Sequence, residues 1–212
     1  MTSSLGSPGS PRLVLASASS ARLATLRAAG IEPEVVVSGV DESQVSTGDP
    51  AALAAELATL KARAVAGDLP GVLVVGCDSV LALDGSAHGK PADADDARRR
   101  WRSMRGRSGV LHTGHCVVAA DGREVVRGAA TTVHFAEVSD EEIEAYVATG
   151  EPLLVAGAFT VDRLGGAFVR GIEGDHHNVV GISLPLLREM LAELGVRWTD
   201  LWHPDAGRSD SP

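Results

Sequence analysis

No uninterrupted apolar stretch in these 212 residues reaches the roughly 20 residues that a membrane-spanning helix needs, so a helical membrane protein is not expected. Cysteine is almost absent. Cys77 and Cys116 are the only two, each inside an apolar run and neither in a C-x-x-C pair, which argues against a disulfide framework and reads as buried thiols in a reducing compartment. Aromatic residues are only 3% of the chain although 44% is hydrophobic, so the core is built from valine, leucine and alanine. A basic excess is also missing. The net charge of −9 is unlike the basic stripe of a general nucleic-acid binder, and any local cluster of lysine and arginine stands against the overall trend. Residues 1–11 have neither a basic n-region nor an apolar h-region, so they are expected to be a disordered leader and not a signal peptide, with 205–212 a matching disordered tail. That leaves 12–204 as a single domain, without repeat or linker, in a protein expected to be soluble and cytoplasmic.

What is present is organised around residues 12–30. Leu13-Val14-Leu15-Ala16 is long enough for one buried strand. The serine-rich turn Ser17-Ala18-Ser19-Ser20 follows, then residues 21–29 of helix-forming composition, with Leu23 and Leu26 at helical spacing and Gly30 as the stop. Strand, tight turn and helix aim unpaired backbone N–H groups at an anion. Arg22 falls in the first turn of that helix, where a cation opposes the helix dipole. It is either a solvated arginine on an ordinary strand–helix unit or a partner for an external anion.

A second strand is expected over residues 34–38, leading to Asp41-Glu42, either a solvated turn or carboxylates placed for hydrogen bonding or a metal. Asp49-Pro50 predicts a helix to about Ala66, stopped by Gly67, with Leu53, Leu57, Leu60 and Ala64 as its apolar stripe and Lys61 on the flank. From there Lys61 either snorkels to water or reaches into a neighbouring cleft. Residues 72–83 carry the strongest strand signal, with Val74, Gly76, Asp78 and Val80 on one face. An ionised carboxylate buried there needs a cation, a hydrogen-bond network or an open cleft, and a structural aspartate held by backbone N–H groups remains an alternative. Asp84-Gly85 signals a hairpin turn. Gly89-Lys90-Pro91 is not a P-loop, because Asp84 and Pro91 stand where that motif needs glycine and a hydroxyl; Pro91 keeps Lys90 extended.

Residues 93–104 read as a helix with Ala94, Ala97, Trp101 and Met104 inward and Arg98, Arg99, Arg100 and Arg102 as a solvated face. Strands are expected at 110–119 and 124–135 around the Asp121-Gly122 turn. His112 and His115 face opposite sides of such a strand, which disfavours zinc. Ser139 to Glu142 is a capping box for a helix through Val147. Residues 151–174 suggest tight strands and turns, His176-His177 a surface pair in a polar turn, and Ser183 the cap of a last helix carrying Leu187, Met190, Leu191 and Leu194.

Several separated pieces together resemble one family. LASASSAR with Ser17, Ser19 and Arg22, VDE at 40–42, Lys61, GCDSV around Asp78, Lys90-Pro91, EAYVATGEP, AGAF at 156–159, LGG at 164–166 and IEGDHHNVVGISL follow the order and spacing of the Maf family of septum-formation-inhibitor-like nucleotide pyrophosphatases, over nearly the whole chain. The family usually has Ser-Pro-Arg-Arg where this chain has Ser19-Ser20-Ala21-Arg22, Asp-Lys where it has Leu154-Val155, and a glutamine where it has Asp162.

The resemblance implies an α/β fold with an elongated, twisted mixed sheet in two lobes, flanked by helices around a central nucleotide cleft. It implies hydrolysis of ordinary or modified nucleoside triphosphates to the monophosphate and pyrophosphate with Mg²⁺ or Mn²⁺, and a homodimer. Asp78 is then the base or water-orienting group, Glu42 and Asp78 the metal ligands, and Ser17, Arg22, Lys61 and Lys90 the phosphate-binding residues. Oxygen-only ligation favours Mg²⁺ or Mn²⁺ over zinc. An aspartyl-nucleophile phosphatase is disfavoured, because Val80 stands where a second aspartate would be needed. A nucleotide-binding regulator of cell division with little turnover is the alternative in a different class, and it draws on the alanine at position 21.

Overall fold

The computed structural model describes residues 11–203; the expected tail, and the leader apart from Pro11, lie outside the described residues. The elements in chain order are β1 (Leu13–Leu15), α1 (Ser20–Ala28), β2 (Glu34–Val35), α2 (Pro50–Asp68), β3 (Leu73–Leu83), β4 (Ser86–His88), α3 (Ala94–Met104), β5 (Ser108–Val118), β6 (Glu124–Phe135), α4 (Asp140–Ala148), β7 (Val169–Glu173), α5 (His176–Val180) and α6 (Leu184–Glu193). The strands form one mixed sheet of seven, ordered β2-β1-β3-β5-β6-β7, with β4 paired to β3. β1 runs parallel to β2 and β3, and all the other pairings are antiparallel.

The fold is elongated because β3, β5 and β6 are long, at 11, 11 and 12 residues, which spans about 37 Å at strand rise. Each end of these strands carries its own core. At one end Leu15, Val75, Cys77 and Val117 pack under Leu26 of α1 and Leu187, Met190 and Leu191 of α6. On the opposite face of the same end, Val14, Val74 and Cys116 meet Ala58, Ala62 and Val65 of α2. The far end packs Leu81, Leu111 and Val133 against Trp101, Phe135, Tyr146 and Phe159. Trp101 meets Phe135, Tyr146 and Phe168 edge-on at 5.6–5.8 Å, and with Phe159 five of the seven aromatic residues gather in one lobe, whereas the buried core of the other is aliphatic with Trp198 at its margin.

α2 departs from its expected register. Its buried residues are Ala54, Leu57, Ala58, Ala62 and Val65, Leu60 is exposed, and the helix runs on past Gly67 to Asp68. The cause is how closely it lies on the sheet. A Cβ on Gly76 would fall 2.8 Å from the Ala62 N and closer still to the Ala58 carbonyl oxygen, and one on Gly114 would meet the backbone of Ala54 and Ala55. At that distance only alanines fit directly over the two glycines, so the leucine stripe turns partly outward.

Other differences are local. The second strand is only Glu34–Val35, since its partner β1 ends at Leu15. Residues 151–168 form three single-turn 3₁₀ segments, Glu151–Leu154, Ala156–Ala158 and Leu164–Phe168, before the one strand β7. His176 and His177 are exposed as expected but open the short helix α5, capped by Asp175. The capping box at Ser139 and Glu142 and the turns at Asp84-Gly85 and Asp121-Gly122 form as the sequence indicates.

One feature of the topology places the site. β1 pairs with β3 only at residues 73–75 and β4 only at 81–83, whereas β5 pairs with the other edge throughout 74–82. Residues 76–80 of β3 therefore have no paired strand on one side. This notch lies in the middle of the sheet, between the two lobes, at the carboxyl end of β1, where open α/β sheets characteristically receive ligands.

Candidate active site

The chain turns at Ser17 just as β1 gives out. Carrying the β1–β3 register two residues on puts Ser17 level with Cys77, so the serine turn forms one end of the notch. The β3–β4 ladder ends with His88 opposite Leu81, and Lys90 follows two residues past that end, on the other side of the notch. Between them the ladder alternation turns the backbone groups of Cys77 and Ser79 toward the gap.

Arg22 is 9% exposed. Ser19 caps α1 by accepting from the Arg22 N–H, which places Arg22 in the first helical turn, as the sequence indicates. The guanidinium donates from Nε to the Gly181 carbonyl oxygen at 2.7 Å, from Nη1 to Ser17 Oγ at 3.1 Å and from Nη2 to Ser79 Oγ at 3.0 Å. All three acceptors are neutral, and Arg22 has no ion pair among the described residues. A buried charge left with neutral partners is costly, and an anion at the notch would offset that cost. The structure thus removes the solvated-arginine alternative.

Asp78 lies on the α2 face of β3, with Val74 and Gly76. Lys61 reaches it from α2 and forms an ion pair with Asp78 Oδ1; the same ammonium holds Glu42 Oε1 at 2.8 Å. The side chains of Lys61 and Asp78 are 11% and 13% exposed, against 54% for Glu42. Lys61 is therefore drawn inward instead of snorkelling. The two carboxylates beside the second strand divide their work. Asp41 caps the 3₁₀ turn Glu42–Gln44, accepting from the Ser43 N–H and Oγ and from Gln44, and these bonds hold its carboxyl below the ordinary range. Glu42 is left to face Lys61.

Contacts thus join Ser17, Arg22 and Ser79 in one group and Asp78, Lys61 and Glu42 in a second, and the two meet only through the adjacent residues Asp78 and Ser79 of β3, whose side chains face opposite sides of the sheet. Lys90 is exposed and makes no hydrogen bond or ion pair with any of them; it stands two residues beyond the end of the β3–β4 ladder. Sequence reasoning missed Ser79, Thr113 and Gly181. Ser79 Oγ shares a 3.0 Å hydrogen bond with Thr113 Oγ1, which in turn donates to the Asn178 carbonyl, so the hydroxyl under Arg22 is tied to α5. The available signal was strand parity: if Asp78 faces α2, Ser79 faces α1. His115 is fully buried, with Nδ1 bonded to the Thr113 carbonyl and Nε2 accepting from the Ser183 N–H. Burial and then the nearby Arg22 charge push its pKa down to about 4, so it is neutral. Both ring nitrogens are taken, in keeping with the expectation against zinc. The thiols of Cys77 and Cys116 are buried, and burial pushes both up to about 12. No cluster of three or more His, Cys, Asp or Glu side chains among the described residues could enclose a metal, and no described helix is long and apolar enough to cross a membrane.

The sequence is 60% identical over 213 residues to a nucleoside triphosphate pyrophosphatase of Salinispora tropica, covering 95% of this chain and 94% of that protein. It is 60% identical over 196 residues to a protein of the same name from Streptomyces coelicolor, covering 91% and 95%. The solved Ham1 protein of Staphylococcus aureus aligns with 59% of this chain and 72% of its own, with a TM-score of 0.41 and 16% identity. Residues 12–194 match the model of the Maf-like proteins. With its sequence matched over that span and 60% identical to such relatives, the chain belongs to the Maf-like protein family.

Proposed function

We infer that this protein is a nucleoside triphosphate pyrophosphatase, which cleaves its substrate to the nucleoside monophosphate and pyrophosphate. One observation carries the reading: a buried guanidinium with no carboxylate partner among the described residues shares an open strand edge with two carboxylates held on one lysine. A triphosphate brings about four negative charges, and a chain of net charge −9 needs local cations to receive it. Arg22 supplies a fork with N–H groups to spare after its three bonds, Ser17 a hydroxyl, α1 its N-terminal N–H groups, and Lys90 a mobile point charge.

Water attacks the α-phosphorus, and the bond from that phosphorus to the bridging oxygen breaks. Pyrophosphate leaves with the bonding electrons, and the proton of the attacking water passes to Asp78. Lys61 orients Asp78, and Glu42 closes the other side of the ammonium. Two oxygen-only carboxylates suit a hard divalent cation, which is commonly held by one or two carboxylates together with substrate phosphates. Asp78 and Glu42 would hold Mg²⁺ or Mn²⁺, whose chemistry is to neutralise charge on the phosphates. Homodimeric assembly and a cytoplasmic location complete the proposal.

The direct test is Asp78→Asn, assayed for pyrophosphate release from ordinary and modified triphosphates with Mg²⁺ or Mn²⁺. A folded variant should lose at least about a hundredfold in kcat. Undiminished turnover would refute the assignment. Calorimetric nucleotide binding by the native protein without any pyrophosphate release would favour a regulator instead.

A further inference from the structure

Of the expected phosphate-binding groups, Lys90 is the one whose side chain is not held by another. Its backbone, in contrast, is gripped from two sides. The loop runs from the end of β4 to the Asp93 cap of α3, and Pro91, which is buried, contributes no N–H. Arg100 of α3 donates from Nη1 to the Gly89 carbonyl oxygen at 2.6 Å and from Nη2 to the Lys90 carbonyl oxygen at 3.4 Å. The same Nη2 lies 2.6 Å from Asp96 Oδ2, and that carboxylate oxygen accepts from the Ala92 N–H at 3.1 Å. Gly89 O also accepts from the Gly157 N–H at 3.0 Å, which joins the loop to the 3₁₀ turn of Ala156–Ala158.

The Arg100 and Asp96 side chains are 16% and 19% exposed, unlike the 66% of Arg99 beside them. Burial alone would raise the Asp96 carboxyl, but the Ala92 N–H and the Arg100 guanidinium outweigh it and hold it below its ordinary value. Arg98 and Arg102 join α3 to Glu144 of α4, whereas Arg100 turns the other way, toward Lys90. An arginine that donates to two carbonyls of one loop, and is itself paired with the carboxylate that holds a third residue of that loop, fixes where the loop stands.

We propose that Arg100, anchored by Asp96, is the positioning residue that holds Lys90 at the notch to receive the phosphate chain of the substrate. This rests on the pyrophosphatase reading of the same site.

The test is a double-mutant cycle of Lys90→Ala and Arg100→Ala, read as KM and kcat for pyrophosphate release from ATP, GTP, CTP, UTP and dTTP with Mg²⁺. Lys90→Ala should raise KM about tenfold and Arg100→Ala about fivefold, with kcat moved less. The double variant should match Lys90→Ala within about twofold, because Arg100 acts only through Lys90. Arg100→Lys, which cannot span both carbonyls, should recover only part of the loss. If Arg100→Ala does not fold, Asp96→Asn takes its place in the cycle. Losses that multiply, or a normal KM in either single variant, would overturn the positioning role while native turnover upholds the function. No pyrophosphate release by the native protein from any of the five would overturn both.

Discussion

Replacing Gly76 by alanine tests the contact that brings Lys61 to Asp78. The added Cβ would sit 2.8 Å from the Ala62 N and 2.9 Å from the Ala62 Cβ, and nearer still to the Ala58 carbonyl oxygen. Ordinary contact begins at 3.4 Å, so α2 must recede by at least about 0.6 Å. The obstructing atoms are mostly helix backbone, which cannot rotate aside as a side-chain tip does, so the cost lies at the upper end for overpacking, about 3 kcal/mol. With a urea m-value of about 2 kcal/mol/M, the unfolding midpoint should fall by about 1.5 M. Lys61 adjoins Ala62 on that helix and moves with it. A displacement of this size should lower kcat about tenfold, since a 1 Å misplacement is worth about a hundredfold. Gly128→Ala is the control. Its Cβ would meet only the Thr113 carbonyl at 4.0 Å, and the change should be neutral or stabilising by up to about 1 kcal/mol. A Gly76→Ala protein with an unchanged urea midpoint and unchanged kcat would show that the close approach of α2 is not what sets the site.

Two further outcomes follow from the buried groups. Arg22→Lys keeps the charge but cannot reach the Gly181, Ser17 and Ser79 acceptors together, so kcat/KM for pyrophosphate release should drop about a hundredfold; wild-type kinetics would mean the phosphates bind elsewhere. His115, with its pKa depressed to about 4 from 6.5, stays neutral in the fold while the unfolded chain takes up a proton below pH 6.5. Its stabilising effect is present above pH 6.5, falls as the pH drops and is gone below about 4, a loss of about 3 kcal/mol. Urea titrations at pH 7 and pH 4.5 should show a shallower pH dependence in His115→Asn than in the native protein, and equal slopes would contradict this account.

Local pattern and the family motifs carried much of the site. Asp78 on a buried strand face needs a cation, and Lys61 on the flank of the preceding helix is the one it meets. The awkward Arg22 in a first helical turn has no carboxylate partner among the described residues. Motif order alone singled out Glu42 and Lys90, since each sits in an ordinary polar turn. Arg100 was hidden by its neighbours: four arginines along one helix read as a uniform solvated face, and nothing local distinguishes the one that turns toward a loop eight residues or more upstream. The leucine stripe of α2 was misplaced for a related reason. Hydrophobic periodicity ranks side chains by apolarity, whereas the sheet beneath this helix carries Gly76 and Gly114 and admits only alanines directly over them.

The sequence by itself therefore determined the long strands with their apolar runs, the helices with their N-caps, the need of a buried Asp78 for a partner, and the family. Those follow from short-range periodicity, capping and residue type, which are written within a few turns of chain. Only the tertiary structure decided that β1 stops at Leu15 and β4 begins beyond it, leaving one edge of β3 open at residues 76–80. It also decided which cations face that opening and which residues hold them. Strand register and the closeness of helix to sheet are set by packing between segments far apart in the chain, and no local window of sequence contains both sides of such a contact.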